Sequence, residues 1–276
     1  MCQLLGMNCN VPTDINFSFD GFSKRAGLTG DHCDGFGIAF FKGKSINIFR
    51  DNLPAHISPI AQAVTHFHIK SCNVIAHIRK ATQGEVNLEN THPFIRELWG
   101  ENWVFAHNGN LDNLLCEKTS LFASNSEDYQ IFYQPIGSTD SEKAFCFMLN
   151  QLKNYFVDKP NQEALINALF QISEYLQQYG IFNFLLSNGD LMFAYSTTDL
   201  HYLTRHAPFG KASRIDDDGI IDFREYTNES DKVTIITTLP LTKDEHWIKI
   251  PHNQLFLFQN GDLISINQHA SLYPKY

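Results

Sequence analysis

Apolar runs of strand length recur along the chain, separated by polar and glycine-containing stretches. They fall at Gln3 to Met7, Phe36–Phe41, Ser45–Phe49, Cys72–Ile78 and Trp103–His107, and later at Ile181–Ser187, Leu191–Tyr195, Lys232–Thr237 and Gln254–Phe258. Asn188-Gly189-Asp190 and Asn260-Gly261-Asp262 are hairpin signals, because Asn and Gly accept the left-handed backbone of a tight antiparallel turn. Three stretches carry helical spacing instead. Pro59–Ile69 is the first. Ser138–Asn154 opens on a Ser-Thr-Asp-Ser-Glu capping cluster and continues with Ala144, Phe147, Met148, Gln151 and Leu152. Gln162–Tyr179 places Leu165, Leu169, Ile172 and Leu176 on one face and stops at Gly180. Many antiparallel strands with long helices grouped mid-chain predict an α+β layered fold. No repeat or linker divides residues 1–276, so one domain is expected. The polar stretch Ala207–Asp231 reads as a long surface loop, and its Asp216-Asp217-Asp218 triplet as a solvated turn; it lacks the spaced ligands of a calcium loop.

Composition narrows the function classes. With 43% hydrophobic residues and 23 Phe the chain can build a large ring-rich core. A net charge of −9 without a Lys/Arg block argues against nucleic acid or anionic membrane as partner. The start, MCQLLGMNC, has no basic segment or apolar stretch of signal-peptide length, and no run reaches bilayer-spanning length. Cys2, Cys9, Cys33, Cys72, Cys116 and Cys146 are scattered without a CxxC pair, as in a cytoplasmic protein with reduced thiols. Burial as a small apolar side chain is a sufficient account of Cys9, Cys72, Cys116 and Cys146.

Cys2 has a different prospect. Removal of Met1 leaves its α-amine free beside its thiol, and such an amine has a pKa of about 7.7–8.0, suited to a general base. One residue then supplies both nucleophile and base. Downstream, Arg79 lies in His77-Ile78-Arg79-Lys80-Ala81-Thr82-Gln83-Gly84, where a strand runs into a loop, and its fork can grip a carboxylate. Asn90-Thr91-His92-Pro93-Phe94 follows. The Trp103–His107 run then feeds into Asn108-Gly109-Asn110-Leu111, whose Asn amide and Gly N–H can form an oxyanion hole. In Gly137-Ser138-Thr139-Asp140-Ser141-Glu142, Asp140 sits near a helix start, where its carboxylate can hold an ammonium group. Each piece alone has a structural reading: a buried thiol, a surface ion pair, a hairpin turn, an N-cap. As a set they describe a substrate with a carboxylate, an ammonium and a distant amide carbonyl, which is glutamine or a γ-glutamyl amide.

These motifs, in this order, resemble a class II glutamine amidotransferase, and most of all its stand-alone YafJ-like branch. Asp34-Gly35-Phe36-Gly37 is similar to a further glycine-rich element of that family. The resemblance implies the N-terminal nucleophile (Ntn) hydrolase fold, a four-layer αββα sandwich of two antiparallel sheets between helical layers. It implies Cys2 as nucleophile forming a γ-glutamyl thioester, and Asn108 and Gly109 as the oxyanion hole. Arg79 and Thr82 would then bind the substrate carboxylate, and Asp140 its ammonium. His92 matches a family position but is expected to be structural. Lys80 and Gln83 depart from the Trp and His common in the family, which puts the loop's substrate contacts in question.

The expected partner is a small-molecule γ-glutamyl substrate; no cofactor or metal is called for. The chain leaves no room for the synthase to which such domains are often fused, so hydrolysis is favoured over ammonia delivery to a separate synthase partner. A non-catalytic γ-glutamyl binding module is the remaining alternative, and retention of Met1 would favour it because an amide nitrogen is not basic. A metal enzyme would need more than His66-Phe67-His68 and His32-Cys33-Asp34, neither of which has zinc-helix spacing.

Overall fold

The computed structural model describes residues 2–82, 84–112 and 129–267. Met1, Gln83 and the segment 113–128, which includes Cys116, lie outside the described residues.

The element order is β1 (Gln3–Asp14), α1 (Asn16–Lys24), β2 (Phe36–Lys42), β3 (Ser45–Asp51), α2 (Pro59–Phe67), β4 (Lys70–Ile78), β5 (Phe94–Leu98), β6 (Glu101–Leu111), α3 (Asp140–Tyr155), α4 (Gln162–Leu176), β7 (Gly180–Ser187), β8 (Met192–Ser196), β9 (His201–Arg205), β10 (Lys211–Ser213), β11 (Ile220–Asp222), β12 (Val233–Thr237), β13 (Ile248–Lys249), β14 (Gln254–Gln259) and β15 (Asp262–Asn267). One sheet has the order β13-β9-β12-β1-β4-β2-β3 and the other β15-β14-β8-β7-β6-β5. All pairings are antiparallel.

Three apolar clusters define the layers. Leu5, Met7, Val74, Ala76 and Ile78 pack with Phe19 and Phe22 of α1 and Val64 of α2. Phe105, Phe182, Phe184 and Phe193 pack with Phe145 of α3 and Leu169 of α4. Between the sheets lie Leu4, Ile75, Val104, Ala106, Leu185 and Ile236. This is the αββα sandwich. It explains the near-continuous apolar runs, because a strand buried on both faces has no polar alternation to show.

The three expected helices are present with small shifts. The first ends at Phe67, where His68 adopts a left-handed φ of 47°. The second starts at Asp140, with the Thr139 side chain capping the Glu142 N–H. The third ends at Leu176, followed by a 3₁₀ turn at Gln177–Tyr179. Both Asn-Gly turns join the expected hairpins, β7–β8 and β14–β15.

Two expectations need correction. Helix α1 was not apparent in the sequence. Residues 207–231 are also not a bare loop: they contain the β10–β11 hairpin, and two of the three carboxylates of the acidic triplet are held in ion pairs. Asp216 bonds the buried Arg25 at 2.8 Å, and Asp217 pairs with Lys24 and with Arg214. The carboxylates there face the basic end of α1, which replaces their hydration. Among the described residues no helix is long and apolar enough to cross a membrane.

Candidate active site

Strand alternation decides which side chains meet. Leu4 and Gly6 of β1 face the inter-sheet layer, since Leu4 belongs to its cluster and a Cβ on Gly6 would strike Leu185 of the opposite sheet at 2.9 Å. Cys2, two residues before Leu4, lies on that same face at the end of the strand. The parity of Ile75 carries through His77 to Arg79, that of Ala106 to Asn108, that of Leu185 to Asn183, and that of Ile236 to Thr238. All these polar residues come to one end of the sandwich, where the apolar filling stops.

The half-buried Cys2 thiol lies against the backbone of Lys80, with Sγ 3.3 Å from both Lys80 O and Lys80 N. Burial raises its pKa; the Lys80 backbone hydrogen bond and the Arg79 charge act in the opposite direction, and Asp140 adds to the rise. The resting sulfur is therefore a thiol that needs a base. Arg79 is buried and its guanidinium binds the Glu85 carbonyl at 2.9 Å and the Gly84 carbonyl at 3.4 Å. Burial lowers its pKa, partly offset by Cys2 and Asp34. The Asp34-Gly35 turn pins this segment: Asp34 Oδ2 accepts the Ala81 N–H at 2.8 Å, and Gly35, at φ 114°, accepts the Arg79 N–H at 2.8 Å. Lys80 turns outward to pair with Asp31, and Thr82 is exposed on the loop.

Asn108 and Gly109 lie inside β6, which continues to Leu111 rather than turning at them. Gly109 is required by close approach, since a Cβ there would lie 1.8 Å from the Ile181 carbonyl oxygen. Asn108 is fully buried. Its Nδ2 stands 3.3 Å from Thr238 Oγ1, and its Oδ1 has no partner among the described residues. Asp140, in the first turn of α3, is buried and accepts the Leu111 N–H at 2.7 Å. Its charge acts on both Cys2 and His107, so it belongs to the same neighbourhood.

Asn90 ties the two substrate-side loops together. It donates to Glu85 O at 3.1 Å and accepts the Ser138 N–H at 2.8 Å. The buried Glu142 then holds the Gly137 N–H at 2.7 Å and Arg96 at 2.6 Å. Beneath them lie three buried histidines. His77 Nε2 meets the His107 carbonyl at 3.1 Å, and the His77 and His92 rings are 4.1 Å apart. His107 Nδ1 is 2.8 Å from Ser141 Oγ. Burial holds His77 down to about 3 and His92 well below the usual histidine range. The neutral His92 ring packs between His77 and Phe94 in tilted contacts.

The structure thus brings Cys2, Arg79, Asn108, Gly109 and Asp140 to one end of the sandwich and leaves Thr82 exposed at its rim. Asn90, Asn183 and Thr238 were not singled out as functional residues. Asn90 lay inside a quoted motif, but nothing in sequence marks the other two as neighbours of Asn108. His68 binds Asp14 at 2.7 Å, and His66 is exposed.

Comparison with known proteins identifies the family. The family profile described as glutamine amidotransferases class-II matches residues 1–275. A Haemophilus influenzae protein named for glutamine amidotransferase activity is 60% identical over 96% of this chain and 86% of its own length. Escherichia coli YafJ, named likewise, is 48% identical over 96% of this chain and 100% of its own. A Pseudomonas aeruginosa crystal structure described as a glutamine amidotransferase superposes with a TM-score of 0.73 at 38% identity, covering 96% of this chain and 100% of that one. The chain belongs to the class II glutamine amidotransferases.

Proposed function

We propose that the chain hydrolyses the side-chain amide of glutamine or of a γ-glutamyl amide, with the Cys2 thiol as nucleophile once Met1 is removed. The observation that carries this reading is the meeting of Cys2, Arg79 and Asn108 on the inner faces of opposed sheets at one end of the sandwich. Asp140 is close enough for its charge to act on the thiol.

Cys2 Sγ gives its proton to the free α-amine and attacks the amide carbonyl carbon. The oxygen of the tetrahedral intermediate is stabilised by the Asn108 amide and the Gly109 N–H. The C–N bond breaks, ammonia or an amine leaves with the proton from the α-ammonium, and a γ-glutamyl thioester remains. Water, deprotonated by the same amine, cleaves the thioester to release glutamate and restore the thiol. Arg79 holds the substrate α-carboxylate, Asp140 the α-ammonium, and Thr82 flanks the carboxylate at the rim. A cytoplasmic setting, with thiols kept reduced, suits this nucleophile.

Intact mass of the protein from its native host, before and after 6-diazo-5-oxo-norleucine, tests the nucleophile and the glutamyl pocket together. The expected result is loss of Met1 and one adduct, mapped to Cys2. A retained Met1, or a trimmed chain without an adduct at Cys2, points to a binding module instead. Glutamine, glutathione and synthetic γ-glutamyl amides assayed side by side identify the leaving group. Turnover that appears only with a second protein present would favour delivery of ammonia to a separate synthase.

A further inference from the structure

We propose that Thr238 is a positioning residue that sets which way the Asn108 carboxamide faces, and thereby builds the oxyanion hole. The inference rests on the hydrolase reading above and adds a residue to it. Thr238 follows directly on β12, one residue past the last β1–β12 pair, Leu5 with Thr237. There the Leu4 N–H donates to Thr238 Oγ1 at 2.9 Å, while the Thr238 N–H returns to Leu4 O at 3.2 Å. The Thr238 carbonyl lies 2.9 Å from His201 Nδ1, so its backbone is fixed on two sides. The side chain is buried, and its hydroxyl stands 3.3 Å from the Asn108 carboxamide nitrogen.

That arrangement leaves two unmet demands. Thr238 Oγ1 accepts from both Leu4 N and Asn108 Nδ2, and its own proton finds no acceptor among the described residues. Asn108 Oδ1, fully buried, meanwhile has no donor among the described residues. A half-turn of the carboxamide about its last torsion removes both. Oδ1 then accepts the Thr238 hydroxyl proton, and Leu4 N–H continues to fill the Thr238 lone pair. The Asn108 NH2 turns to the position now held by the unpartnered oxygen, where an anionic oxygen would be its acceptor. Oxygen and nitrogen of a carboxamide have nearly the same shape, so packing does not choose between the two orientations and the hydrogen bonds do. The Asn108 backbone is held independently, because Asn183 Nδ2 donates to its carbonyl at 3.0 Å and Asn183 Oδ1 accepts the N–H groups of Thr197 and Thr198. With the backbone held there, Thr238 sets the orientation of the side chain.

The test compares Thr238→Val, which keeps the shape and deletes the hydroxyl, with Thr238→Ser, which keeps the hydroxyl. For Val, kcat is expected to fall about ten- to a hundredfold with KM within about twofold, since a misdirected donor affects the transition state more than ground-state binding. Ser should stay within about threefold of the parent. Alkylation of Cys2 by iodoacetamide, which forms no oxyanion, should proceed at the same rate in all three. Val turnover equal to the parent, or Ser as impaired as Val, would overturn the proposal. Neutron diffraction from deuterated parent protein reads the orientation without any substrate. A Thr238 deuteron directed at Asn108 Oδ1 supports the proposal, and an Asn108 deuteron directed at Thr238 Oγ1 sinks it. A parent that turns over no γ-glutamyl substrate refutes the hydrolase reading, while the neutron map still decides the role of Thr238.

Discussion

The inter-sheet layer is closed at both ends by buried polar side chains, and the two ends differ in how completely those side chains are satisfied. At one end Asn8 donates to Asn73 at 2.9 Å, Asn73 donates to Gly189 O at 2.6 Å, and Asn8 Oδ1 accepts the Gly261 N–H at 2.8 Å. This end ties both Asn-Gly hairpins to the central strands. At the other end Asn108 Oδ1, His77 Nδ1 and both His92 nitrogens have no partner among the described residues, and a thiol is half-buried. The same two strands, β1 and β4, run through both ends. A polar cluster with each carboxamide matched rigidifies the fold. Unmatched polar groups in a buried cluster carry a cost, and here they collect at the end of the sandwich that holds the Cys2 thiol.

The sharpest way to break this comparison is at the nucleophile. Cys2→Ala should lower turnover by more than about ten-thousandfold, as expected when a nucleophile is lost and only binding and the oxyanion hole remain. Its melting temperature should stay close to that of the parent. Steady-state assay and calorimetry on the same sample check both halves. Next in size, Arg79→Lys keeps the charge but loses the two-pronged fork. KM for glutamine should rise about ten- to a hundredfold with a smaller change in kcat, on the order of 1.4–2.7 kcal/mol of binding. A change confined to kcat would remove Arg79 from the carboxylate role.

The closed end should respond in the opposite manner. Asn73→Ala strands the Asn8 amide and the Gly189 carbonyl, so stability should fall by about 1–3 kcal/mol, while kcat and KM hold. Urea unfolding beside the activity assay measures it. A loss of activity without a loss of stability would show that the two ends do not divide the labour in this way.

How much of this was legible in sequence follows from the range of each interaction. Nine of the fifteen strands among the described residues showed themselves, chiefly because burial on both faces leaves continuous apolar runs, as in Phe36–Phe41; the shorter β5, β9, β10, β11 and β13 and the more exposed β15 did not. Helix α1 did not, because Asp20, Gly21 and two serines interrupt it; yet Ile15, Phe19, Phe22 and Ala26 are buried at helical spacing and could have revealed it. Cys2, Arg79 and Asn108 stand out as candidates because each sits in a local pattern with its own chemistry. Thr238 could not: it is one polar residue at the end of an apolar run, and its partner Asn108 lies 130 positions away. The acidic triplet reads as a solvated turn for the same reason, since Arg25, which pairs with Asp216, is 191 positions distant.

The smallest predicted effect sharpens the account of the unmatched end through pH. His77 is kept neutral by burial down to about 3, against an ordinary 6.5, and burial also depresses His92 well below that value. A histidine whose folded pKa is depressed binds its proton more readily in the unfolded chain. Its contribution to stability is therefore fully present above pH 6.5 and is lost as the pH falls from 6.5 toward 3. Each such histidine contributes a slope of at most about 1.4 kcal/mol per pH unit. Asp217, pulled to about 2 against its own burial by Lys24, the Gly219 N–H and Arg214, gives way only below its ordinary 3.8. The interval from pH 6 to 4 thus isolates the histidines from that carboxylate. His92→Phe retains an aromatic ring between His77 and Phe94 and removes one titrating group, so the stability slope between pH 6 and 4 should lessen by about one proton. An unchanged slope would mean that His92 titrates alike in the folded and unfolded chain, and that the cluster beneath Cys2 is open to water and protons.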